Sequence, residues 1–215
     1  SKWLGVRYST FVSSGSSANY ISISILKVLN KNKYKNEIIV PTLTWISDIS
    51  SIILNGFKPV FVDINLENLS MDIDQVLKKI NKKTLGIFIT HAQGFNGLND
   101  KLLKAINKHK LYLIEDVCES HGATYKNKKL GTFGLMSNFS FYYAHHMTTI
   151  EGGMISTNNK EIYELSKIFR SHGMARESKN QSYEKKLIKK FKNLSPQFIF
   201  LYPTLNFRNN EICLL

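Results

Sequence analysis

Thr10-Phe11-Val12-Ser13-Ser14-Gly15-Ser16-Ser17-Ala18-Asn19 runs from a short apolar stretch through a serine-glycine turn into a helical pattern, with Ala18, Ile21, Ile25, Val28 and Leu29 at helical spacing. A strand, a glycine turn and an amphipathic helix in immediate succession form the repeating unit of an α/β protein. The unit recurs outward from there. Glu37–Pro41 reads as a buried strand, and a helix follows from about Trp45 to Leu54. Lys58–Ile64 is a further strand, and Asp72–Ile80 a helix with Asp72 as its N-cap. Leu85–Thr90 is a strand, then comes a helix over Asn99–His109 capped by Asn99 or Asp100. Leu111–Asp116, Asn138–Tyr143 and Met154–Thr157 are strands, and Lys160–His172 is a helix closed by Gly173. Strands alternating with helices of this length predict a mostly parallel, doubly wound sheet with its ligand at the carboxyl ends of the strands. Ser14–Ser17, Pro41–Trp45, Asp116–Glu119 and Ala144–Thr149 all fall at such ends.

The 215 residues suffice for one sizeable core, and an apolar fraction of 43% marks a globular chain. No run of about 18 apolar residues is present, so a membrane span is not expected. The first residues lack the apolar core and cleavage site of a secretory signal. Cys118 and Cys213 are too few and too distant for a disulfide framework, which points to a reducing cytoplasm. The net charge of +13 raises nucleic-acid binding as a minor reading. The lysines are mostly scattered among asparagines, however, and the dense run Lys185–Lys192 reads as a solvated helix face. A positive excess also favours an anionic small substrate such as a sugar nucleotide.

Several constellations carry chemistry. In Ser13–Asn19 the helix N-terminus offers free N–H groups and a positive dipole end, and the Ser16 and Ser17 hydroxyls add donors suited to a phosphate; the alternative is ordinary serine capping. Trp45, after Pro41-Thr42-Leu43-Thr44, is placed to stack on a flat ring or to fill the core. Leu111–Asp116 ends in two acids. A carboxylate there can pair with a protonated pyridine nitrogen, and Glu119 lies within reach of the same place; the alternative is that Asp116 and Glu119 cap the turn. Period two puts Ser140 and Tyr142 on one face, while the adjacent His145 and His146 should diverge. The histidines His91, His109, His121 and His172 form no zinc motif, so no metal site is expected.

These motifs, with Lys58–Asp63, His121-Gly122-Ala123, Leu130–Gly134 and Thr148–Gly153, resemble in order and spacing the DegT/DnrJ/EryC1/StrS family of pyridoxal-phosphate (PLP) sugar aminotransferases. The resemblance runs over nearly the whole chain and implies the fold-type-I architecture, a large domain whose mostly parallel seven-stranded sheet lies between helices. In Ser137–Gly153 the chain has His145 where the family carries its cofactor-anchoring lysine, and no lysine occurs from residue 130 to 159. Tyr143-Ala144-His145-His146 resembles the histidine-bearing branch of 3-dehydratases that act on GDP- and CDP-linked 4-keto-6-deoxy sugars. Glu119, where most aminotransferases have glutamine, resembles the GDP-sugar enzymes.

Carried over by position, Ser16, Ser17 and Ser140 would hold the cofactor phosphate, Trp45 would stack on the ring, and Asp116 would hold the pyridinium. Glu119 would sit by the ring hydroxyl, and His145 would be the base. The cofactor would be PLP or its amine form, pyridoxamine phosphate (PMP), held noncovalently. The substrate would be a nucleotide-linked 4-keto-6-deoxy sugar that loses its C3 hydroxyl, with L-glutamate as amino donor. Asn206 and Arg208 match a segment that reaches a neighbouring subunit, so a homodimer is implied for the full-length protein. Residues 1–174 are expected to be the PLP-binding large domain lacking an N-terminal segment. Residues 175–215 are expected to be a polar excursion, a helix or a mobile one, leading toward an absent small domain. The alternatives are an aminotransferase-like protein of the same fold and an inactive truncated fragment.

Overall fold

A computed structural model describes residues 1–178 and 189–210. In chain order the elements are β1 (Tyr8–Val12), α1 (Gly15–Leu29), β2 (Glu37–Pro41), α2 (Ile46–Leu54), β3 (Lys58–Val62), α3 (Ile73–Lys79), β4 (Thr84–Thr90), α4 (Asp100–His109), β5 (Tyr112–Asp116), β6 (Thr124–Tyr125), β7 (Lys128–Lys129), β8 (Met136–Ser140), β9 (Gly153–Thr157) and α5 (Lys160–Arg170). Seven strands form one sheet in the order β1-β9-β8-β5-β4-β2-β3, in which only β9 runs antiparallel to its neighbours. This is the mostly parallel, seven-stranded sheet expected from the sequence.

Both faces of the sheet are covered, which is why β2 and β4 read as continuous apolar runs buried along their whole length. Alternation assigns the faces. Ile38, Val40 and Ile114 pack with Ala18, Ile21 and Ile25 of α1, Ile52 of α2 and Leu165 of α5. Ile39 and Leu113 face the other way, onto Val76 of α3 and Leu102 and Ile106 of α4. The caps follow from side-chain chemistry. Asp72 accepts from the Asp74 and Gln75 N–H groups, and Asn99, rather than Asp100, is the cap of α4, accepting from Leu102 N–H.

Some boundaries move. The strand expected over Asn138–Tyr143 starts two residues earlier and ends at Ser140, because the chain then turns, with His145 N–H donating to the Tyr142 carbonyl (3.0 Å). The last helix stops at Arg170 instead of His172, and Gly173 N–H closes on the Ile168 carbonyl (2.9 Å). The β6–β7 hairpin, not expected from sequence, turns on Lys126 and Asn127, both left-handed (φ 49° and 61°). Two of its three lysines have partners: Lys126 pairs with Asp100 and Lys129 lies over the Trp3 ring (4.2 Å). Of the lysine run from 185 to 192, residues 185–188 lie outside the described residues, and Lys189, Lys190 and Lys192 are exposed. Further on, the chain returns to the sheet. Phe207 N–H donates to Arg170 O and Phe207 O accepts from Ser13 N–H (both 2.8 Å). Residues 205–209 thus lie beside the exit of β1, where Arg208 Nε donates to Asn206 Oδ1 (3.1 Å).

Candidate active site

Strands β1, β2, β4, β5 and β8 all end at one edge of the sheet, and a cavity of about 680 Å³ opens there. Its floor and walls come from the turn into α1, the entry to α2, the exits of β4, β5 and β8, and the loop that carries His145. Six of the seven site residues expected from sequence line it: Ser16, Trp45, Asp116, Glu119, Ser140 and His145. Ser17 is not among the lining residues. It is buried in the turn, where its hydroxyl contacts Ser13 Oγ (2.7 Å) and Ser14 Oγ (2.9 Å). Serine capping and a donor-rich turn are therefore both present: Ser14 is the N-cap, and Ser16 is left facing the cavity.

The turn is held close to the sheet. A Cβ on Gly15 would lie 2.7 Å from Ser140 Cβ, so only glycine lets the first turn of α1 touch the end of β8. The leading N–H groups of α1 have no intrahelical acceptor by helix geometry. With the Ser16 and Ser140 hydroxyls they form a set of donors suited to an anion. Trp45 occupies the N-cap position of α2 and is 70% exposed, which excludes the core reading and leaves its ring on the cavity rim.

The two acids ending β5 point to opposite faces. Glu115 is fully buried and accepts from Gly131 N–H (2.8 Å), Phe133 N–H (2.8 Å) and Gly134 N–H (2.6 Å). His91 Nε2 lies 3.2 Å from it, while His91 Nδ1 accepts from Gly97 N–H. Glu115 thus clamps the 131–134 loop. Asp116 faces the cavity, 4% exposed, accepting from Cys118 N–H (2.9 Å) and Asn19 Nδ2 (3.4 Å). It caps its turn and also presents a carboxylate. Burial, then the Asp116 charge, pushes the neighbouring Cys118 thiol well above its usual range. Glu119 accepts from the N–H of Gln93, which is left-handed (φ 54°).

His145 is half-buried at the opposite wall. His145 lines the cavity while His146 does not, and the two rings flank His121, at 6.4 and 5.9 Å between centroids. His121 also packs against Phe139 and Phe141, and neither of its ring nitrogens has a hydrogen-bond partner among the described residues. Burial above all, then His146 and His145, lowers its pKa to about 4, against the opposing pull of Asp116.

Two features escaped the sequence. The first is the set Asn19, Thr44, Asp48 and Thr90 beside Asp116, buried except for the half-buried Thr44. Asp48 reads locally as an ordinary first-turn acid, and no spacing rule links residues 19, 48 and 116. The second is the charge of the walls. Asp116, Glu119 and Glu151 line the cavity, and no lysine or arginine does so among the described residues. The positive excess of the sequence is not concentrated there, so an anion would rest on N–H and hydroxyl donors.

A donor-rich helix turn, a strand-end carboxylate and an aromatic rim at the switch edge of a parallel sheet define a protein built to hold a flat, phosphate-bearing group. The chain belongs to the DegT/DnrJ/EryC1/StrS aminotransferase family, which it matches over residues 1–212. Over 215 residues it is 37% identical to the GDP-4-keto-6-deoxy-D-mannose 3-dehydratase of Escherichia coli O55:H7, a match covering 98% of this chain and 55% of that protein. It is 36% identical over 170 residues to the GDP-perosamine synthase of Escherichia coli O157:H7, covering 79% and 46%. The solved structure of E. coli GDP-4-keto-6-deoxy-D-mannose-3-dehydratase with bound hydrated PLP superposes with a TM-score of 0.85 at 33% identity, over 99% of this chain and 55% of that one. The chain spans about half the length of the curated relatives it matches.

Proposed function

We propose that this chain is the cofactor-binding part of a PLP/PMP-dependent 3-dehydratase acting on a nucleotide-linked 4-keto-6-deoxy sugar, in deoxysugar and polysaccharide biosynthesis. The observation that carries this reading is His145 on the cavity wall together with the lack of any lysine among the described lining residues. A cofactor bound here has no amine to anchor it covalently, and an imidazole can still move protons. The relatives fall on both sides of the choice: the 3-dehydratase at 37% identity supports this reading, and the perosamine synthase at 36% supports the aminotransferase alternative.

The cavity fits the cofactor. The α1 N-terminus with Ser16 and Ser140 would take the phosphate, with Ser17 holding the turn in shape. Trp45 would cover one ring face. Asp116 would pair with the ring nitrogen and keep it protonated, and Glu119 would stand on the hydroxyl side. When bound, the cofactor supplies an electron sink next to the sugar. His145 would take up on its imidazole the proton given up at carbon by the bound cofactor and sugar, and hand it to the C3 hydroxyl, which leaves as water. Glutamate would serve as amino donor, and a homodimer would complete the site.

Borohydride separates this from the aminotransferase reading. PLP should bind with an absorbance change, and borohydride should leave no mass of a reduced cofactor on the chain. A lysine-linked adduct would overturn the proposal. With glutamate and GDP-4-keto-6-deoxymannose, the full-length protein should release ammonia and 2-oxoglutarate; a stable amino sugar would instead mark an aminotransferase.

A further inference from the structure

Behind the cavity floor lies a carboxyl group that the function above does not use. Asp48, three residues into α2, is completely buried, and so is nearly all of Asp116 beside it. Asn19 Nδ2 donates to Asp48 Oδ1 (2.6 Å), contacts Ser47 Oγ (3.0 Å) and reaches Asp116 Oδ2 at 3.4 Å, so one amide bridges both acids. Asn19 is itself fixed, its Oδ1 accepting from Asn138 Nδ2 (2.9 Å).

The other oxygen of Asp48 belongs to a closed triangle. Thr90 Oγ1 lies 2.9 Å from Asp48 Oδ2, Thr44 Oγ1 is in short contact with the same oxygen, and the two threonine oxygens are 2.6 Å apart. Three oxygen–oxygen contacts at hydrogen-bond distance need three protons between them. Two hydroxyls supply two. Among the described residues no lysine, arginine or histidine contacts the group to offset a second buried charge, and two adjacent buried carboxyls cannot both ionise without large cost.

We propose that Asp48 holds a proton at neutral pH, closes the Thr44–Thr90 triangle with it, and so leaves Asp116 as the one charged member of this buried carboxyl pair. Burial first, and the Asp116 charge second, act in the same direction, raising the Asp48 pKa well above that of an ordinary carboxyl. Asp48 is then a positioning residue that acts through Asp116. That consequence for a bound ring rests on the proposed function; the proton on Asp48 does not.

The test therefore starts without cofactor. In the aspartate-13C-labelled chain at neutral pH, carbon NMR should show one aspartate carboxyl at the shift of a protonated acid, and infrared spectra should show its carbonyl stretch. Absence of both signals overturns the proposal. Asp48→Asn, which mimics the neutral acid in shape and donors, should fold, abolish that one signal and bind PLP within roughly twofold of the parent. Asp48→Ala, which leaves Asn19 and both threonines short of a partner, should bind more weakly. Persistence of the signal in Asp48→Asn would assign the proton elsewhere and overturn the proposal. If the signal behaves as expected but PLP binds neither protein, the functional reading fails and the protonation stands.

Discussion

His121 shows how a buried ring writes itself into the acid stability of a fold. Its unfolded pKa is near 6.5, and in the folded chain it falls to about 4. Between those values the unfolded chain binds a proton that the folded chain refuses, so stability must fall as pH drops from about 6.5 to about 4. His121→Phe suits the aromatic surroundings of Phe139 and Phe141 and should remove that part of the loss, seen as a flatter dependence of the urea midpoint on pH. An unchanged slope would mean that His121 is not the group responsible. Trp45, on the rim, makes the opposite kind of prediction. Trp45→Ala should leave stability within about 0.5 kcal/mol, since the residue is exposed. It should weaken PLP binding roughly tenfold through the lost ring contact, read by fluorescence or absorbance titration. What the sequence made legible was place: Ser16, Asp116 and His145, each read at a strand end or its exit, all line the cavity. Asp48 and His121 were not legible, because their character comes from what folding packs around them, namely a second carboxylate in one case and two phenyl rings with two imidazoles in the other.

Among the elements, apolar runs and caps announced most strands and helices, and the parallel sheet followed from their alternation. What stayed hidden depends on contacts between distant segments. The end of β8 at Ser140 is set by its pairing with β9, whose Gly153 stands opposite. The role of Glu115 is set by a loop sixteen to nineteen residues downstream. Removing that hub in Glu115→Ala strands three N–H donors and His91, and should cost about 3–5 kcal/mol in urea or thermal unfolding. Gly153 makes a steric counterpart. A Cβ there would overlap the Ser14 carbonyl, which is backbone at the N-cap of α1 and cannot rotate away. Gly153→Ala should therefore lose about 1–3 kcal/mol or more and weaken cofactor binding at the same time. Asn99→Ala, at a cap that does not line the cavity, should cost about 1 kcal/mol and leave binding intact.

For the molecule as a whole, the outer surface around the cavity is unusually apolar. Ile46 and Ile53, seven residues apart on α2, share one helix face and are 64% and 56% exposed, with Leu54 beside them at 71%. Leu43 and Trp45 continue that surface to the cavity mouth, and Tyr143, Met147 and Ile150 of the His145 loop are exposed as well. Single exposed apolar residues are ordinary, but this many on α2 and the segments that line the cavity is what a surface covered by another protein would carry. The homodimer proposed with the function would supply that cover, since a second copy carries the same face and a twofold contact needs only self-complementarity. Ile53→Lys with Leu54→Lys changes only this face and leaves every cavity-lining residue in place. Sedimentation should show the parent chain associating and the double variant shifted to monomer, with the circular dichroism of the two unchanged. If the parent sediments as a monomer at every concentration, the α2 face is not what joins two copies of this chain.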